Sequence, residues 1–178
     1  AAHGGPGGRG HLRGLFAPDI GGSRATGAGY LRATYEAGLR LAGWETLRRR
    51  YGSYPLDGVG YHLYVDQGGP ASASKIAGYL EDVRAGYAAY EGERSGKAIH
   101  VTEFGWPSDG VGEAVQAQNL ETAYTLFRRV GYVARGYWAA FHDLPGVANG
   151  GLLRGDGSPK PAFAAYQRLA GGSGATAL

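Results

Sequence analysis

The 178-residue chain contains no cysteine and no methionine. The first absence excludes disulfides and cysteine-ligated metals, and it leaves the redox compartment open. The second extends to position 1, so the chain is expected to be a processed product or a piece of something longer. No apolar run approaches the roughly 18 residues that a membrane span requires, and no membrane partner is expected. The opening AAHGGPGGRGH has neither the charged n-region nor the apolar h-region of a signal peptide. Charge of either sign is also scarce in excess: 18 Lys and Arg stand against 15 Asp and Glu, spread along the chain. The one dense basic run, Arg48-Arg49-Arg50, reads as a solvated helix face, and no nucleic-acid partner is expected from it.

What the chain has in quantity is glycine, 34 residues without a G-X-Y period and in the company of many aromatics. That combination points to loops rich in tight turns around a packed core, not to disorder. The length suits one domain over residues 1–178, and the last stretch, 171–178, is expected to be a flexible tail.

From residue 55 onward, short strand-like runs alternate with longer runs of helical period. The first strand is DGVGYHLYV at 57–65, stopped by the turn formers Asp66-Gln67-Gly68-Gly69-Pro70. Ile76, Tyr79, Leu80, Val83, Tyr87 and Tyr90 then recur at three- and four-residue intervals, one face of an amphipathic helix that Ser72 or Ser74 can cap. KAIHVTEF at 97–104 is the next strand and Pro107–Gly110 a turn. Val115, Leu120, Ala123, Tyr124, Phe127 and Val130 give another helix, and VARGYWAAF at 133–141 a third strand. A loop from His142 to about Gly157 leads to a last helix opened by Ser158-Pro159-Lys160-Pro161. Upstream, a helix is expected around 28–42 and a weaker strand at 11–17. Repeated βα units of this kind predict a parallel sheet with helices outside, and ligands meet such sheets at the carboxyl ends of the strands.

Strict alternation along 97–104 puts Ile99, Val101 and Glu103 on one face and His100, Thr102 and Phe104 on the other. His100 and Glu103 are then unable to share a metal, and no metal or other cofactor is expected. His62 and Tyr64 share a face of the first strand, with Tyr61 on the opposite side against helices; Gly136, Trp138 and Ala140 share a face of the third. The residues that can converge at the strand ends are Glu103, His62, Tyr64 and Trp138, with Trp106 just beyond. Aromatic rings stack on sugar faces and a carboxylate attacks or stabilises an anomeric carbon, so the set suggests glycoside cleavage. Each residue also has a plainer reading: Glu103 as a surface ion-pair partner, Trp138 as core, His62 as a structural histidine.

The segments VGYHLY, IHVTEFGWPS, EAVQAQNL, GYWAAF and GLLRGDGSPKPAFAAYQRL resemble, in that order, the last strands and helices of retaining clan A glycoside hydrolases with a (β/α)8 barrel, families 5 and 39 above all. The resemblance spans about residues 10–170 and implies only the last four βα units, strands five to eight. It implies that Glu103 is the nucleophile, that His62 and Tyr64 hydrogen-bond the nucleophile or the substrate, that Trp138 floors the first sugar subsite, and that Trp106 lines the same cleft. It also favours an extracellular enzyme acting on β-linked polysaccharide or oligosaccharide. The chain departs from the family in one respect: the general acid/base there is a glutamate after an asparagine, and the only asparagines here, Asn119 and Asn149, precede leucine and glycine. Neither Asp66 nor Asp143 matches that position. The expected partner, besides carbohydrate, is the missing amino-terminal half or a second copy. The alternatives left open are a non-catalytic carbohydrate-binding module and a degenerate half-barrel with a structural role.

Overall fold

The computed structural model describes residues 11–15 and 26–170. The expectations for 1–10, 16–17 and 171–178 lie outside the described residues. In chain order the elements are β1 (His11–Leu15), α1 (Thr26–Leu41), α2 (Trp44–Tyr51), β2 (Gly58–Leu63), α3 (Ala73–Glu91), β3 (Ala98–Phe104), α4 (Ser108–Val111), α5 (Glu113–Val130), β4 (Val133–Trp138), β5 (Ala140–His142), β6 (Gly151–Leu153) and α6 (Pro161–Ala170). Strands β1 to β4 form one sheet in that order, every pair parallel. The mixed α/β architecture with a parallel sheet is the one the βα alternation implied.

The apolar face of the sheet is built by β2 and β3. Val59, Tyr61, Leu63, Ile99, Val101 and Phe104 are all buried, in one cluster with Leu31 and Tyr35 of α1, Ile76, Leu80 and Val83 of α3, and Ala123, Leu126 and Phe127 of α5. Phe104 is the hub at the carboxyl end of β3. Its ring meets Phe127 at 5.1 Å, Tyr124 at 5.2 Å and Trp138 at 5.4 Å, each edge to face. Tyr61 packs on this face as its position in the alternation required.

Two buried ion pairs hold opposite ends of the sheet. Below the amino ends of β2 and β3, Lys97 Nζ lies 2.9 Å from Glu91 Oε1, both side chains 9% exposed, and the Tyr35 hydroxyl donates to the same carboxylate at 2.7 Å. Burial and that carboxylate push the Tyr35 phenol well above its ordinary value. At the carboxyl end, Lys160 has a 1% exposed side chain and donates to Asp143 at 2.7 Å, Ser108 Oγ at 2.9 Å and the Asn149 carbonyl at 3.0 Å. Three donors on the ammonium meet three acceptors, which is what allows a lysine to be buried here.

This second knot corrects the reading of 142–157 as loop. Asp143 Oδ1 also accepts from the Gly151 amide at 2.8 Å, so β5 and β6 pair in parallel across the turn. Strands of three residues are too short to print a period. The third strand likewise ends at Trp138 instead of running to 141, because the Ala139 amide turns to donate to the Phe104 carbonyl at 2.8 Å. Pro107–Gly110 winds into the single turn α4. Ser72 caps α3, accepting from the Lys75 amide, and α2 with its three arginines has no buried residue.

Replacing Lys160 by Met leaves Asp143 and its carbonyl neighbour without their donor. Urea unfolding is expected to show a loss of about 3–5 kcal/mol. A second expectation concerns acid. The Arg154 guanidinium grips Glu113 at 2.6 Å and holds its carboxyl below the usual value near 4.5. A carboxyl lowered in this way adds stability above the ordinary glutamate range and loses it as pH falls through the folded value. The stability gap between the wild type and Arg154→Met is therefore expected in full at pH 7 and gone at pH 2.

Candidate active site

A single extra residue decides what the site contains. On β2 and β3, Tyr61 pairs with Val101 and His62 pairs with Glu103, so β3 advances two residues while β2 advances one. Thr102 is a β-bulge. It moves Glu103 onto the face of His62 and His100, and it returns Phe104 to the face of Ile99 and Val101, where all three are buried. The alternation read from the sequence assumed a regular strand and is corrected here: His100 and Glu103 do share a face. Among the described residues, however, no group of three or more His, Asp or Glu is placed to hold a metal ion.

On that face the Glu103 carboxylate is held from both sides. His62 Nδ1 lies 3.1 Å from Oε2, and the Tyr64 hydroxyl donates to Oε1. The Glu103 side chain remains 39% exposed and that of His62 20% exposed. The carboxylate is thus gripped by two donors yet open to a ligand. The strand exits are braced so that these three groups meet. Trp106 Nε1 donates to the Val65 carbonyl at 2.6 Å, and Gln67 Nε2 donates to the Gly105 carbonyl at 3.1 Å.

The structure brings Glu103, His62 and Tyr64 together and turns the two tryptophans elsewhere. Trp106 is wholly buried, with its N–H spent on Val65, so it packs the core instead of lining a cleft. Trp138 pairs in register with Phe104, packs on that ring and donates Nε1 to the Gly150 carbonyl at 2.8 Å. It therefore lies on the helix side of the sheet, opposite Glu103. Gly136, two residues earlier, fixes that direction, because a Cβ there would sit 2.8 Å from the Phe127 ring. A second irregularity, at Ala134, sets the phase: Ile99 pairs with Val133 and His100 with Arg135. The residues of β4 on Glu103's face are Arg135 and Tyr137, the latter 48% exposed. Sequence reasoning missed both, together with Gln67. The signal available was the apolar spacing itself, since Ile99, Val101 and Phe104 run two and then three apart.

The two loop carboxylates nearby are engaged: Asp66 by Lys75 at 2.6 Å and Asp143 by Lys160. Among the described strand residues of this face, Glu103 is the one acid, and it can serve as a nucleophile or as an electrostatic support for positive charge.

No protein-family model matches the chain, and no curated protein sequence matches it. Solved structures do. An intracellular xylanase from Thermoanaerobacterium saccharolyticum aligns at 14% identity over 87% of this chain and 42% of its own, with a TM-score of 0.53. A family 128 (subgroup I) endo-β-1,3-glucanase from Amycolatopsis mediterranei aligns at 20% identity over 86% of this chain and 70% of its own, with a TM-score of 0.52. The same glucanase in complex with laminaripentaose gives 18% identity and a TM-score of 0.51. The chain spans less than half the length of the xylanase. At these identities the likeness is one of fold: the chain shares its α/β fold with glycoside hydrolases.

Deleting Thr102 restores plain alternation and drives Glu103 toward Phe127 and Tyr124. The expected cost is about 3–5 kcal/mol in urea unfolding, the scale for an uncompensated buried charge. Thr102→Ala keeps the extra residue at an exposed position and is expected to change stability by no more than about 0.5 kcal/mol.

Proposed function

We propose that the chain carries the nucleophile side of a retaining β-glycoside hydrolase site, acting on β-linked polysaccharide or oligosaccharide, with its four parallel strands corresponding to strands five to eight of a (β/α)8 barrel. The observation that carries this reading is the Glu103 carboxylate at the carboxyl end of an inner strand, gripped by His62 and Tyr64 and left partly open. In this role a Glu103 oxygen attacks the anomeric carbon while a carboxylic acid, about 5–5.5 Å from it, gives its proton to the departing glycosidic oxygen. Water then breaks the glycosyl ester and returns that proton. His62 and Tyr64 hold the attacking oxygens in line, and Tyr137 offers the exposed ring on the same face for a sugar to rest on.

The second carboxyl group has no candidate among the described strand residues of this face, and that favours one alternative, a module that binds β-glucan or xylan without cleaving it. The two readings separate in one experiment: release of aryl from aryl β-glycosides, alongside calorimetric titration with laminari-, xylo- and cello-oligosaccharides. The hydrolase reading expects Glu103→Gln to lower kcat/KM by about 100-fold or more, the scale of one positioned carboxyl group. Equal rates in the two proteins remove Glu103 from the mechanism. Binding without turnover, unchanged by Glu103→Gln, supports the module.

A further inference from the structure

The sheet has a covered face and an open one. Helices α1, α3 and α5 pack on the apolar face, whereas the other face presents Gly60, His62, His100, Glu103, Arg135 and Tyr137. Among the described residues β1 and β4 are both edge strands, with one row of backbone groups unpaired on each. Beside the β4 edge, between α5 and α6, runs a groove of about 520 Å³ floored by Tyr124, Phe127, Tyr166 and Leu169, with Arg135 and Tyr137 at its rim. At the opposite edge, α1 leaves Tyr30 59% and Leu41 75% exposed.

We propose that two copies of this chain close these edges on each other, forming one eight-stranded parallel barrel with two Glu103 carboxylates in its lumen. The two edges are complementary because all four strands run the same way. A half-turn about an axis along the strands sets each β4 beside the partner's β1, still parallel, and no edge remains. Four strands are half of the eight that close a barrel of this class. The exposed area agrees. The whole chain, residues outside the described range included, exposes 10,240 Å². A globular protein of its mass, 18.6 kDa, exposes about 8,200 Å². The excess, roughly 2,000 Å² at most, exceeds the ~800 Å² that each partner buries in an interface of standard size. The pairing stands on the sheet alone. That the second copy supplies the carboxyl group missing from one copy rests on the hydrolase reading.

Sedimentation equilibrium of the full chain tests the pairing, with far-UV circular dichroism as a check on folding. The expected result is a species of twice 18.6 kDa at micromolar concentration. Tyr137→Glu, which adds charge at an exposed position of β4, is expected to weaken the dimer at least tenfold without changing the dichroism. If that variant does not fold, Tyr30→Glu at the other edge makes the same comparison. A wild type that stays monomeric at ~100 μM overturns the proposal, as does a dimer that both edge variants leave equally tight. A dimer that cleaves no β-glycoside contradicts the hydrolase reading and keeps the pairing. A monomer that does cleave one overturns the pairing and keeps the hydrolase reading.

Discussion

The bulge at Thr102 is the constraint on which the site depends. A regular strand with this sequence would carry Glu103 among the aromatic rings of α5 and leave Phe104 facing the open side. The buried charge and the exposed ring would both be unfavourable. One extra residue resolves both conflicts: Phe104 seats among Tyr124, Phe127 and Trp138, and Glu103 meets His62 and Tyr64. The packing of Phe104 and the placement of the carboxylate are one event, so the core enforces the site geometry. Bulges recur beside active sites for this reason, since they re-aim one side chain without unravelling the ladder.

Around that strand the molecule separates support from chemistry. The Lys97–Glu91–Tyr35 cluster closes the amino end of the sheet, where nothing needs to move or bind. At the carboxyl end the Lys160 knot ties α4, β5, β6 and the start of α6 into one rim, and Gln116 Nε2 adds a bond to the Trp106 carbonyl at 2.9 Å. Both knots keep their charges satisfied, so neither carries free chemistry. The carboxylate left partly open on the sheet's uncovered face is that of Glu103.

Much of the fold was legible because periodicity is local. The alternation Val59, Tyr61, Leu63 and the three- and four-residue spacing through Ile76, Leu80 and Val83 name their own faces, and Ser72 announces the start of α3. The phase of β3 and β4 was not legible from a regular template. Glu103 was correctly grouped with His62 and Tyr64, but by an alternation the strand does not follow. The same assumption placed Trp138 toward the site, when the close approach of Phe127 to Gly136 turns that face to the helices. Trp106 looked like a cleft residue because it follows Glu103 closely. Its burial depends on a bond to Val65, 41 residues away, which no local pattern records. The β5–β6 pair was hidden in the same way, since it depends on Asp143 and Lys160 meeting across a turn.

The side-chain phase of β3 is also what nuclear magnetic resonance reads most directly, through proton–proton contacts in the labelled protein. The bulged strand predicts contacts from the Glu103 side chain to the His62 and Tyr64 rings, together with contacts from the Phe104 ring to Phe127 and Tyr124. Contacts from Glu103 to Phe127, with Phe104 meeting His62 instead, would show an unbulged strand and contradict this placement of the carboxylate.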